Sequence, residues 1–112
     1  MKAIDFELLD SEGYPTEEAL SYIEKYDCLK NGFIELINLI EEMWWMSDWG
    51  FKLTGKRNLK LELHTGGWSG NESIIYVLHT NFFWSMCWVK SIRGGHYWFE
   101  IPDFQDQEKG KP

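Results

Sequence analysis

The sequence predicts an α+β fold: a small sheet of three or four mainly antiparallel strands with helices packed on one face, in the order α-α-β-α-β-β. Two changes in hydrophobic period predict it. Apolar residues recur every three to four positions between about 16 and 48, as on a helix with one buried stripe. Between 58 and 101 they recur at every second position on either side of a further helical stretch. Size supplies the third observation, since 112 residues make one domain around one core. That domain spans 1–112, with an acidic helical half (1–48), a sheet half carrying a glycine-rich loop (58–101) and a polar, frayed tail (102–112).

Residues 1–13 begin with Ile4, Phe6, Leu8 and Leu9 and end in Asp10-Ser11-Glu12-Gly13. They read as a short strand or extended arm closed by a turn. Thr16 is a capping residue, and Glu17 and Glu18 suit the positive end of a helix dipole. A first helix follows from about Thr16 to Tyr26, with Ala19, Leu20, Ile23 and Tyr26 on its apolar side. Asn31-Gly32 breaks the chain. Phe33, Leu36, Ile37, Ile40 and Trp44 then give the strongest helical pattern, with Glu35, Glu41 and Glu42 on the polar side and an end near Ser47 to Gly50. In Asn58–His64 three leucines alternate with Lys60, Glu62 and His64, the signature of a strand with one buried face. Asn71-Glu72 opens a short helix that buries Ile74, Ile75 and Leu78. Phe82–Val89 reads as a second strand, apolar on both alternating sets. Ile92-Arg93-Gly94-Gly95 reads as a hairpin turn and His96–Ile101 as a third strand, which buries Tyr97, Phe99 and Ile101.

Charge is segregated along the chain. The total is minus 7, yet residues 1–48 hold 12 acidic and 3 basic side chains, while 49–101 hold 3 acidic and 6 basic. An acidic half argues against docking on nucleic acid, where each phosphate contact needs Lys or Arg, and suits a basic protein surface. No apolar run reaches the roughly 20 residues of a membrane span. The expectation is therefore a cytoplasmic protein without a membrane segment. Cys28 and Cys87 lie in neither CxxC nor CxxH pairs and read as structural thiols; with His64, His79 and His96 they lack zinc-site spacing, so no metal or cofactor is expected. Aromatic residues make up 17% of the chain and include seven Trp. That is more indole than a core this size needs, which points to recognition.

The most unusual stretch is His64-Thr65-Gly66-Gly67-Trp68-Ser69-Gly70-Asn71-Glu72. Glycines that join a strand to a helix let backbone N–H groups approach an anion. The spacing matches neither a Walker loop nor a dinucleotide fingerprint. A plainer reading is open: the glycines make a tight connection, Asn71 or Ser69 caps the helix, and Trp68 enters the core. Beside the loop, His96, Trp98 and Glu100 share a polar strand face, as do Lys60, Glu62 and His64. Together these could line a shallow pocket. Candidate ligand-binding residues are accordingly His64, Gly66, Gly67, Trp68, Ser69, Gly70, Asn71, Glu72, Arg93, His96 and Trp98. Trp68 or Trp98 would stack on a base, and Arg93 would pair with phosphate. Candidate protein-contact residues are Glu35, Glu41, Glu42, Trp45 and Trp49. A catalytic reading would use His64, Ser69 and His96, but Ser69 stands in no nucleophile elbow, and no catalytic residues are assigned.

The paired motifs Gly-Gly-Trp-Ser-Gly-Asn-Glu (66–72) and Arg-Gly-Gly-His-Tyr-Trp-Phe (93–99) resemble those of small uncharacterised accessory proteins of bacteriophages and prophages. The likeness covers about residues 58–101 and leaves out the acidic half. It implies a factor acting in the bacterial cytoplasm and carries over no catalytic residues. The first expectation is thus a non-enzymatic protein that binds and modulates a host protein. The alternatives are a module for a small anion or nucleotide on residues 65–72, and a small enzyme using His64 and His96.

Overall fold

A computed structural model describes residues 4–102; residues 103–112 of the proposed 102–112 tail and the first three residues of the proposed arm lie outside them. Ten elements follow in order: α1 (Glu17–Lys25), α2 (Cys28–Asn31), α3 (Phe33–Met43), α4 (Ser47–Gly50), β1 (Phe51–Thr54), β2 (Leu59–His64), α5 (Ser69–His79), α6 (Phe82–Cys87), β3 (Trp88–Ile92) and β4 (His96–Ile101). The fold is α+β with a four-stranded, wholly antiparallel sheet of order β1-β2-β4-β3.

Local chemistry explains the helix boundaries. Thr16 caps α1, its hydroxyl accepting from Ala19 N at 3.1 Å, while the same hydroxyl donates to the Glu7 carbonyl. The described part of the amino-terminal arm forms no strand. It makes one isolated bridge, Leu9 to Pro15, because Asp10–Gly13 turns the chain back at once. On α3 the stripe is wide: Phe33, Leu36, Ile37, Leu39, Ile40 and Met43 are all buried.

The second predicted strand is corrected. Residues 82–87 form α6, and the strand begins only at Trp88. Asn81 decides this. Its Oδ1 accepts from Phe83 N at 2.7 Å, a helix cap, and its Nδ2 donates to the carbonyls of Ile23 and Tyr26 at the end of α1. Phe83 and Cys87, one turn apart, then face the core while Phe82 stays exposed. The apolar residues on both alternating sets belong to a helical period, not to a strand covered twice. Strand β1 and the short helices α2 and α4 are additions to the predicted order, and the helix expected to end near Ser47 to Gly50 stops at Met43, where Trp44 turns extended and Met46 left-handed.

Ladder partners lie on the same side of an antiparallel sheet, so the register sorts its two faces. Leu61 opposite Phe99, and Leu59 opposite Ile101, turn toward the helices and join the α3, α5 and α6 side chains in one core. Burial of Phe99 and Ile101 on that face, with Tyr97 packed beside them, follows the alternation. Lys52 opposite Glu62, Lys60 opposite Glu100, Glu62 opposite Trp98 and His64 opposite His96 lie on the other face. Lys52, Lys60, Lys90 and Glu100 there are exposed. Cys28 and Cys87 are both buried and free. No helix among the described residues is long and apolar enough to cross a membrane.

Candidate functional site

The glycine-rich loop and the β3–β4 hairpin meet. Thr65 N donates to Gly95 O at 2.9 Å, which carries the β2–β4 ladder one step past the histidines. Gly95 has φ +87, and a methyl group there would fall 2.1 Å from Thr65 Oγ1. Only glycine allows the two segments to lie this close.

The loop joins β2 to α5. Gly66 and Gly67 both take positive φ, turning the chain sharply between β2 and α5. Neither Ser69 nor Asn71 caps α5: the capping position is Trp68, which makes no side-chain bond there, and both polar residues lie in the first turn. Asn71 points inward and is fully buried. It accepts from Trp45 N at 2.9 Å and donates to Trp45 O at 3.1 Å and Thr65 O at 3.4 Å, so it clips the end of α3 to the loop. Glu72 takes the Thr65 hydroxyl at 3.3 Å and adds negative charge where an anion would sit. Ser69 lies with Leu20, Ser73 and Tyr76 beside a groove on the α1 side and bonds neither histidine.

Trp68 does not enter the core. It is half-buried, lies over Gly70, and stacks on Tyr14 (centroids 4.8 Å apart) and Trp45 (5.4 Å). These contacts occupy a ring that the sequence offered for base stacking. Gly66 forms the floor beneath Trp49 and Trp45, whose rings lie 3.2 and 3.9 Å from where its Cβ would be. Trp49 in turn lies 6.0 Å from the His64 ring.

Beyond Trp49 a belt of aromatic rings continues across the sheet face that carries His64, His96 and Trp98. His64 Nδ1 and His96 Nδ1 are 2.8 Å apart, and His64 Nε2 lies 3.3 Å from Glu62 Oε1. Trp98 stands edge-on to His64 at 5.7 Å, with the Lys90 ammonium 4.7 Å from its own ring centre. His64, His96 and Trp98 therefore do come together, as the shared polar face predicts. Arg93 is exposed in the hairpin turn.

Between α3 and α4 the belt ends in a knuckle. Met46 is the one non-glycine among the described residues with positive φ, at 58°. It is 52% exposed, between Trp45 at 46% and Trp49 at 55%. Glu41, Glu42 and Asp48 flank it and are exposed. Glu35 is placed apart, at the start of α3 beside Tyr22, Lys25 and Tyr26. Met46 and Tyr14 are not among the expected site residues; no local pattern marks a residue whose role comes from a turn or from a ring in another segment. Comparison with models of known protein families, with curated proteins and with solved structures finds no match to this chain.

Proposed function

We propose that this protein works by binding another protein, without catalysis, and that the Trp45-Met46-Trp49 knuckle is its contact point. One observation carries the reading: three large apolar side chains stand half exposed on a turn held in a left-handed conformation. Such backbone costs on the order of 1–3 kcal/mol and persists only where its surroundings enforce it. Here Asn71 enforces it, by gripping both backbone groups of Trp45. Rigid aromatic anchors presented in this way are what interface hot spots are made of. The surrounding Glu41, Glu42 and Asp48 select a partner with an apolar pocket rimmed by basic groups. The resemblance to bacteriophage accessory proteins would make that partner a host protein.

The test compares wild type with a Met46→Asn/Trp49→Ser variant in affinity capture, followed by calorimetry on the purified partner. Asparagine tolerates the left-handed conformation, so the fold is kept. The variant should bind at least about 30-fold more weakly, the loss expected of a hot spot worth about 2 kcal/mol. Charge reversal at Glu41 and Glu42 should slow association. Equal binding by the variant would refute the assignment.

A further inference from the structure

The cross-strand histidine pair holds chemistry that the knuckle does not use. His64 and His96 are direct partners in the β2–β4 ladder, with Nδ1 atoms 2.8 Å apart. Two imidazoles at that distance share one hydrogen, donated by one Nδ1 to the lone pair of the other. Glu62 decides the direction. Its Oε1 lies 3.3 Å from His64 Nε2, and a carboxylate accepts, so the hydrogen of neutral His64 belongs on Nε2. His64 Nδ1 is then bare, and His96 Nδ1–H donates to it.

A metal-bound imidazole has the same outer arrangement: one ring nitrogen ligates while a carboxylate holds the other N–H. Moving the His96 hydrogen from Nδ1 to Nε2 leaves two bare Nδ1 atoms. Rotation of both rings about their side-chain bonds then converges the lone pairs, and no proton leaves the neutral pair. Two imidazole nitrogens with water oxygens in the remaining positions are the mixed N,O donor set that copper(II) and nickel(II) take in tetragonal sites. Such a set holds Cu²⁺ above Zn²⁺ in the order of divalent-ion affinities. No third His, Cys, Asp or Glu converges among the described residues. His64 is partly open to solvent at 20% side-chain exposure, so water or an exchangeable ligand would fill the remaining positions.

We propose that His64 and His96 form a chelating site for a divalent transition-metal ion of the copper(II) or nickel(II) class, bound through both Nδ1 atoms and oriented by Glu62. The site does not depend on the knuckle, so either proposal can fail alone.

The probe is Cu²⁺ itself. Trp49 and Trp98 lie 6.0 and 5.7 Å from the His64 ring, close enough for a bound paramagnetic ion to quench them. Wild type should show saturable one-to-one quenching and an axial electron paramagnetic resonance spectrum coupled to two nitrogens. His64→Gln and His96→Gln should each weaken binding at least tenfold, and Glu62→Gln about 10–100-fold. His79→Gln should leave it unchanged, and Zn²⁺ should bind more weakly than Cu²⁺. Quenching that does not saturate, that survives both histidine variants or that is lost in His79→Gln overturns the proposal. So does a wild-type spectrum without two coupled nitrogens, a result that needs no variant to fold.

Discussion

Replacing Asn71 with alanine should cost both stability and the aromatic stack. The side chain is fully buried and makes three hydrogen bonds, two to Trp45 and one to Thr65. Alanine removes all three partners at once. Thr65 is itself fully buried, so water cannot replace the bond to its carbonyl; Trp45 lies at the surface, and its backbone groups regain water in part. With about 1–3 kcal/mol for a buried group left unmet and less for the two that rehydrate, the loss is about 2–4 kcal/mol. In a domain of this size that lowers Tm by roughly 8–24 °C. Urea denaturation followed by far-UV circular dichroism measures the first effect. Near-UV circular dichroism measures the second, since the Trp45–Trp68 stack loses its anchor. Asn71→Asp should do no better at neutral pH, because it keeps the acceptor but turns a carboxylate toward two carbonyl oxygens. An Asn71→Ala protein within about 0.5 kcal/mol of wild type, with its near-UV spectrum intact, would refute the clip.

Gly95→Ala should lose about 2–5 kcal/mol in the same denaturation assay, since a left-handed alanine costs about 1–2 and the clash with buried Thr65 about 1–3. Asn81→Ala should lose about 2–4 kcal/mol, because it removes the α6 cap and the donor to the buried Tyr26 carbonyl, while Ile23 O keeps only Tyr26 N. Stability should also fall in alkali. Burial, with Asp27 adding to it, pushes the Cys28 thiol from 9.0 up to about 12. Burial and then Cys28 do the same for Cys87, also to about 12. Tyr26 is raised chiefly by burial, with Glu35 next. In each case the fold favours the protonated form, so the contribution is whole below about pH 9 and lost as pH climbs toward 12. The urea midpoint should hold from neutral pH to about 9 and drop by about 11, less steeply in Cys28→Ala. A midpoint level throughout would contradict the burial of these groups.

Elements that complete a full period of apolar contacts are legible in the amino-acid sequence. Thr16 with Glu17 and Glu18 marks α1, the Phe33-to-Trp44 stripe marks α3 although the helix stops at Met43, and the Asn58–His64 alternation gives both the position and the inward face of β2. Short elements are not legible in the same way. Six residues of α6 hold fewer than two turns, so its apolar side chains fall on both alternating sets and mimic a covered strand. Asn81 is the signal for a helix there. In β1 the alternation of Phe51 and Leu53 with Lys52 and Thr54 is genuine but only four residues long, and it directly follows the end of a helix. At the site, strand alternation brings His64, His96 and Trp98 onto one face. The place of Trp68 is hidden because its partners, Tyr14 and Trp45, come from other segments, and side-chain stacking leaves no periodic trace.

The strand order carries a consequence for how the chain assembles. Strand β4 is the last in sequence among the described residues but lies between β2 and β3, which do not pair with each other in the sheet. Until residues 96–101 arrive, the β1–β2 hairpin can form on its own, whereas β3 has no ladder to join and Trp88, Val89 and Ile92 have no sheet to hold them. A nascent or truncated chain ending before His96 is therefore an open-edged, aggregation-prone species and not a smaller working version. Pairing of β4 with β2 and β3 closes the sheet, and the same pairing sets His96 against His64.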